Sequence, residues 1–253
     1  MILDKFSLKG KVAIVTGSST GLGQGMSIAF ADAGASVVGV DYVDSPDTKA
    51  TIEKNGGKFI SIVANLMSTE PLQSIVDKAV ATYGKVDILV NNAGIIRRCD
   101  AIDFTEKDWD DVININQRTV FFFCQAVAKQ YIKQGTGGKI INIASMLSFQ
   151  GGIRVPSYTA SKSAVQGITR ALANEWAKHN INVNAIAPGY MSTNNTAALR
   201  ADADRSEAIL GRIPAGRWGL PDDLMGPAVF LASPASDYVN GYTVAVDGGW
   251  LAR

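Results

Sequence analysis

The sequence predicts one α/β domain, residues 1–253, built on a single doubly wound, seven-stranded parallel sheet. Three observations point there. β-Branched runs alternate with helix-length amphipathic stretches, the rhythm of β-α-β units. The runs read as continuous apolar segments, which suits strands covered on both faces. The first run leads directly into a glycine-rich turn. No Ser/Gly/Pro tract divides the chain and no long internal period recurs, so a second domain is not expected.

In chain order the strands are VAIVT (12–16), SVVGVD (36–41), FISIV (59–63), DILV (87–90), KIINIA (139–144), INVNAIA (181–187) and YTVAVD (242–247). Helical stretches at 106–133, 157–178 and 221–232 cover them. In the second, the stripe Val165, Ile168, Leu172 and Trp176 suits either a sheet-facing core or an interface. In the third, Pro227 predicts a kink or a late helix start. The least regular part, Gly189 to Trp218, is read as a lid over a binding site, because long connections without structure of their own are usually functional.

The turn after the first strand reads Gly17-Ser18-Ser19-Thr20-Gly21-Leu22-Gly23 and opens a helix. Glycines at 17, 21 and 23 permit positive φ and let backbone N–H groups and the positive helix end approach a pyrophosphate. Asp41 ends the second strand 24 residues after Gly17, where a carboxylate accepts hydrogen bonds from a ribose diol. It would also repel a 2′-phosphate, and its neighbours Thr20 and Tyr42 are uncharged. The expected cofactor is therefore NAD rather than NADP.

Tyr158 and Lys162 lie four residues apart in a helical stretch, so they share a face. A phenol with a pKa of about 10 is a poor base, and a nearby ammonium is expected to lower it. The same ammonium could hold the hydroxyls of a nicotinamide ribose. Ser145 ends the fifth strand 13 residues before Tyr158, at the sheet edge where ligands bind, and its hydroxyl can polarise a carbonyl.

The spacing Gly-x-x-x-Gly-x-Gly, the element Asn91-Asn92-Ala93-Gly94 after the fourth strand, and Pro188-Gly189 followed by Thr193 together resemble the short-chain dehydrogenase/reductase family. That resemblance implies a Rossmann fold and hydride transfer with Ser145, Tyr158, Lys162 and Asn116 as the catalytic groups. Asn116 would be the helix-bending asparagine whose backbone holds a water in the proton relay to the lysine; Asn114, two residues away, is the competing assignment. The implied cofactor contacts are Gly17, Ser19, Gly21, Leu22, Gly23, Asp41, Asn65, Leu66, Asn92, Ala93, Gly94, Tyr158, Lys162, Pro188, Gly189, Met191 and Thr193. Asn65 departs from the family, which usually has Asp beside the adenine; an amide can still accept and donate hydrogen bonds. Members are commonly homotetramers that pack their long helices together.

Substrate clues are fewer. Segments flanking the expected pocket carry Arg97, Arg98, Arg154, Arg212 and Arg217. Guanidinium forks suit bidentate carboxylate recognition, so an acidic, polyhydroxylated substrate is favoured over a steroid or an acyl chain. Arg154, one helical turn before Tyr158, and Arg97 are the leading candidates. A polyol or ketose reductase, or a nucleotide-binding regulator without catalysis, are the competing readings.

The remaining composition mainly excludes. With 24 basic and 23 acidic residues, the charge balance gives no reason to expect nucleic acid or an anionic membrane. Cys99, Cys124 and His179 cannot make a Cys/His zinc site or a disulfide framework, so no metal is expected. His179, just before an apolar strand, is read as a helix-end residue and not as the base of a triad. The first residues lack an apolar signal-peptide core and no run is long enough to span a membrane, so a soluble cytoplasmic enzyme is expected.

Overall fold

The computed structural model describes residues 1–253. The chain alternates β1 (Val12–Thr16), α1 (Gly21–Asp32), β2 (Ser36–Asp41), α2 (Pro46–Lys54), β3 (Lys58–Val63), α3 (Leu72–Tyr83) and β4 (Ile88–Asn91). It continues through α4 (Glu106–Ile113), α5 (Thr119–Gln134), β5 (Gly138–Ile143), α6 (Pro156–Trp176) and β6 (Ile181–Pro188). Two short helices, α7 (Ala197–Ala201) and α8 (Ala203–Leu210), precede α9 (Asp222–Ala232) and β7 (Thr243–Val246). No helix is long and apolar enough to cross a membrane.

All seven strands are parallel, in the order β3-β2-β1-β4-β5-β6-β7. The chain steps outward from β1 to β3 and then returns to place β4 on the other side of β1. That reversal opens a crevice beyond the carboxyl ends of β1 and β4, where ligands bind in such sheets.

Alternation along each strand divides the core into two layers. Val12 and Ile14 of β1 face a cluster formed with Ile75, Phe123, Val127, Tyr131, Val165 and Leu172 from α3, α5 and α6. Ala13 and Val15 face the opposite cluster with Met26, Phe30, Ile52, Leu224 and Leu231 from α1, α2 and α9. The α6 stripe is thereby resolved: Val165 and Leu172 are buried in the first layer, and Ile168 and Trp176 pack against it.

Three local expectations change. Helix α9 already begins at Asp222 and carries Pro227 inside it, so there is no late start. β7 is shorter than the 242–247 run, and β6 extends through Pro188. The Gly189–Trp218 segment is partly helical, because Asp202 caps α8 by accepting the Arg205 N–H at 3.1 Å and Ile209 is buried. His179 ends a 3₁₀ turn, Ala177–His179, before Asn180.

Candidate active site

A cleft of about 720 Å³ runs along the carboxyl edge of the sheet. Its lining joins Gly17, Ser19, Gly21, Leu22, Asp41, Asn65 and Leu66 at one end to Ser145, Tyr158 and Lys162 at the other, with Asn92, Ala93, Gly94, Pro188, Gly189, Met191, Thr193 and Arg97 between or above them. Of the other residues singled out in the sequence, Gly23 and Asn116 lie behind this lining and Arg98, Arg154, Arg212 and Arg217 outside it.

The glycine turn is held from behind. Thr16 accepts the backbone N–H groups of Asn92 and Ala93, each at 2.9 Å, and donates to Val90 O at 3.2 Å. The Asn92 amide donates to Thr16 O at 2.9 Å and Gly17 O at 3.3 Å. β1 and β4 are thus stitched together where the crevice opens. Gly17 has φ +69°, and a methyl there would meet Asn92 Nδ2 at 2.6 Å. Thr20, at the start of α1, makes no side-chain cap, so the first N–H groups of that helix are left to an external anion. Asp41 accepts from Ser19 N at 2.9 Å and Tyr42 N at 2.7 Å, which fixes its carboxylate at the cleft end. A nicotinamide dinucleotide fits this frame: an uncapped helix start for the pyrophosphate, a carboxylate for the distal ribose, and Tyr158 with Lys162 for the proximal one.

At the catalytic end, α4 and α5 are joined by a π-helical turn, Asn114–Arg118, with Asn116 fully buried at its centre. The Asn116 side chain accepts from Ile95 N and donates to Ile95 O, both at 2.9 Å, and donates to Ser161 Oγ at 3.2 Å. Ser161 in turn donates to Tyr158 O at 2.8 Å. Asn116 therefore ties the loop after Gly94 to α6 beside the tyrosine. Ser148 plays a similar part: it donates to Lys162 O at 2.6 Å and accepts from Ser145 N at 3.3 Å. Sequence reasoning missed Thr16, Ser148 and Ser161, because single hydroxyls in strands and helices carry no spacing signal.

Burial pushes the Tyr158 phenol above its usual value, opposed by the neighbouring Ser145 hydroxyl and the Arg98 charge. The expected depression by Lys162 is not what the structure shows. The Lys162 Nζ stands 5.6 Å from the Tyr158 ring centroid and donates to Ile143 O at 2.6 Å. Burial lowers its own pKa to about 8, since a desolvated ammonium loses its proton more readily.

The arginines separate clearly. Arg97 faces Asp108 at 3.4 Å and Asp111 at 3.5 Å. Arg154, exposed and at φ +65°, pairs with Asp100 at 2.9 Å. Arg217 makes a two-pronged contact with Asp223 at 2.7 and 2.8 Å, and Arg212 lies 4.0 Å over the Trp250 ring. Arg98 has no carboxylate partner; it donates to Asn195 O of the lid at 3.0 Å, and its charge reaches Tyr158.

The lid closes at its base, where Met191 bridges Gly219 and Ser192 N donates to Gly219 O at 2.7 Å. Asn194, Asn195 and Thr196 line the cleft from above.

A family model described as enoyl-(acyl carrier protein) reductase matches residues 17–251. The chain belongs to the short-chain dehydrogenase/reductase family. It is 70% identical to the 2-dehydro-3-deoxy-D-gluconate 5-dehydrogenase of Dickeya dadantii, over 100% of both chains. The structure of an Agrobacterium tumefaciens protein provisionally described as a 2-deoxy-D-gluconate 3-dehydrogenase, with bound NADP, superposes at a TM-score of 0.94 with 54% identity, covering 98% of this chain and 99% of that one. A gluconate 5-dehydrogenase from Burkholderia cenocepacia, in complex with NADP and tartrate, superposes at a TM-score of 0.94 with 39% identity and full coverage of both chains. The chain is thus an oxidoreductase of the gluconate and 2-keto-3-deoxygluconate type, acting on a CH–OH group with a nicotinamide cofactor.

Proposed function

We propose that this enzyme interconverts 2-keto-3-deoxy-D-gluconate and 2,5-diketo-3-deoxy-D-gluconate with NAD(H), in the breakdown of pectin-derived sugar acids, and also oxidises 2-deoxy-D-gluconate at C3. The observation that carries the reading is the convergence of Ser145, Tyr158 and Lys162 at one end of a cleft whose other end stops at Asp41; the Dickeya relative supports the substrate. A bound nicotinamide supplies the hydride in reduction and takes it in oxidation. Tyr158 gives its phenolic proton to the substrate oxygen, and Ser145 donates a hydrogen bond to that oxygen as negative charge develops. Lys162 holds the ribose hydroxyls and, through the relay built on Asn116, returns the proton to Tyr158. The reading further comprises a cytoplasmic homotetramer. Incubating the protein with NADH and 2,5-diketo-3-deoxygluconate tests the activity: rapid NADH oxidation is expected, and its absence, with turnover of 5-ketogluconate, would move the enzyme to gluconate 5-dehydrogenase, the activity of the Burkholderia relative.

The choice of NAD over NADP rests on Asp41. No basic residue stands with it among Ser19, Thr20, Tyr42 and Asn65 at that end of the cleft, so a 2′-phosphate would meet a fixed carboxylate without a counter-charge. Asp41→Asn keeps an acceptor and removes the charge. It should raise kcat/KM for NADPH about tenfold, about 1.4 kcal/mol of relieved repulsion, and lower that for NADH. Wild-type protein that uses both cofactors equally would contradict this account of Asp41.

Arg98 is the guanidinium we assign to the substrate carboxylate, because its charge reaches Tyr158 and no carboxylate pairs with it, whereas Arg97, Arg154 and Arg217 are paired, Arg212 is stacked, and the lid's Arg200 is turned to Thr193 O. Arg98→Gln should raise the KM for the sugar acid roughly 10- to 100-fold, as expected for losing a charge-assisted hydrogen bond. Arg154→Gln should leave it within about twofold, the effect of an exposed ion pair. The reverse order in steady-state kinetics would restore Arg154 as the carboxylate ligand.

A further inference from the structure

The last seven residues turn back onto the lid. Asp247 accepts the N–H groups of Gly249 and Leu251, both at 2.9 Å, and so shapes a tight turn. That turn delivers Trp250, 4% exposed, into a small apolar cluster with Met146, Ile209 and Ile213, separate from both main core layers. Met146 directly follows Ser145, while Ile209 and Ile213 belong to the lid. The indole N–H donates to Gln150 Oε1 at 3.2 Å, across 100 residues of sequence. Arg212 covers the ring at 4.0 Å, and the Tyr190 ring meets its edge at 4.8 Å. One side chain therefore touches the segment after the catalytic serine, the far half of the lid and the residue after Pro188-Gly189.

We propose that Trp250 is a positioning residue that latches the lid to the Ser145 segment and thereby sets the width of the substrate end of the cleft. The inference rests on the functional reading in one respect, that the substrate lies between Ser145 and the lid. The adenosine end is out of its reach: Gly17, Asp41 and Asn65 are not among the residues Trp250 packs against or bonds. A latch and a plain core residue differ in consequence. Loosening a core lowers stability and perturbs both ligands together. Loosening a latch weakens the sugar acid more than the cofactor, because the cofactor side of the lid stays anchored at its base, where Met191 and Ser192 hold Gly219.

Two variants test it. Trp250→Phe keeps an aromatic ring and removes the donor; Gln150→Leu removes the acceptor from a half-buried site at little cost to packing. Each should raise the KM for the sugar acid about fivefold, the usual worth of one hydrogen bond, with KM for NADH changing by less than about twofold. The double variant should be no worse than either single one, since both break the same contact. Trypsin should also cut faster at the exposed lid residues Arg200 and Arg205 in both variants. Unchanged substrate KM with unchanged cleavage, or additive effects in the double variant, would overturn the latch. Should wild-type protein turn over no sugar acid, the functional reading fails separately and cleavage alone decides: faster cutting in both variants supports the latch, and equal rates overturn it.

Discussion

Tyr158→Phe should lower turnover about a thousandfold while NADH still binds. The phenol lines the cleft with Ser145 and Lys162 and neighbours the Ser145 hydroxyl, and a positioned proton donor contributes about 10²- to 10⁴-fold. Removing one oxygen leaves the ring, the helix and the Asn116–Ser161 tie to Tyr158 O intact, so the effect belongs in kcat. Fluorescence titration should find NADH affinity close to wild type, and turnover within tenfold of wild type would remove Tyr158 from the chemistry. The pH profile carries its own sign. Burial holds the phenol protonated above its ordinary range, which suits the acid needed for carbonyl reduction at neutral pH; oxidation, which needs the phenolate, should rise toward alkaline pH. Lys162 loses its proton as pH passes about 8, so reduction should fall above that point as the relay loses its charged member.

Gly23→Ala should abolish useful cofactor binding. A methyl at Gly23 would overlap Gly17 O and lie 2.5 Å from Asn92 Nδ2, and neither can retreat. Gly17 is fixed at positive φ in the phosphate turn, and the Asn92 amide is committed to Thr16 O and Gly17 O. Overpacking of this kind costs about 3 kcal/mol, so NADH affinity should drop about a hundredfold. The melting temperature should fall as well, because the same contact joins β1 to β4. Near wild-type NADH affinity in this variant would show that the turn is softer than its packing implies.

Much of this molecule is legible in its sequence for one physical reason: strands buried on both faces cannot alternate, so the inner strands β1, β2, β4, β5 and β6 read as apolar runs, while the edge strands β3 and β7 are partly exposed. The glycine turn and Asp41 are legible because a phosphate seat and a ribose carboxylate must occupy fixed points on consecutive strands. The Tyr158–Lys162 pair is legible because one helical turn sets its spacing. What stays hidden depends on partners brought together only by folding. Arg154 looks poised beside Tyr158 along the helix, but its positive φ turns it to Asp100. Lys162 looks ready to acidify the phenol, but the Ile143 carbonyl takes its ammonium. α7 and α8 escape notice because helices of five and eight residues are too short to display a period. The contact between Trp250 and Gln150 has no sequence signature at all.

The most direct test of the central claim is the fate of deuterium from NADH carrying deuterium at both C4 positions, followed by mass spectrometry of the reduced sugar acid. If the site transfers hydride to a carbonyl carbon while Tyr158 protonates the oxygen, wild-type product should carry one deuterium on carbon, with Tyr158→Phe forming almost none. Product formed without carbon-bound deuterium, or formed equally well by the phenylalanine variant, would contradict the account.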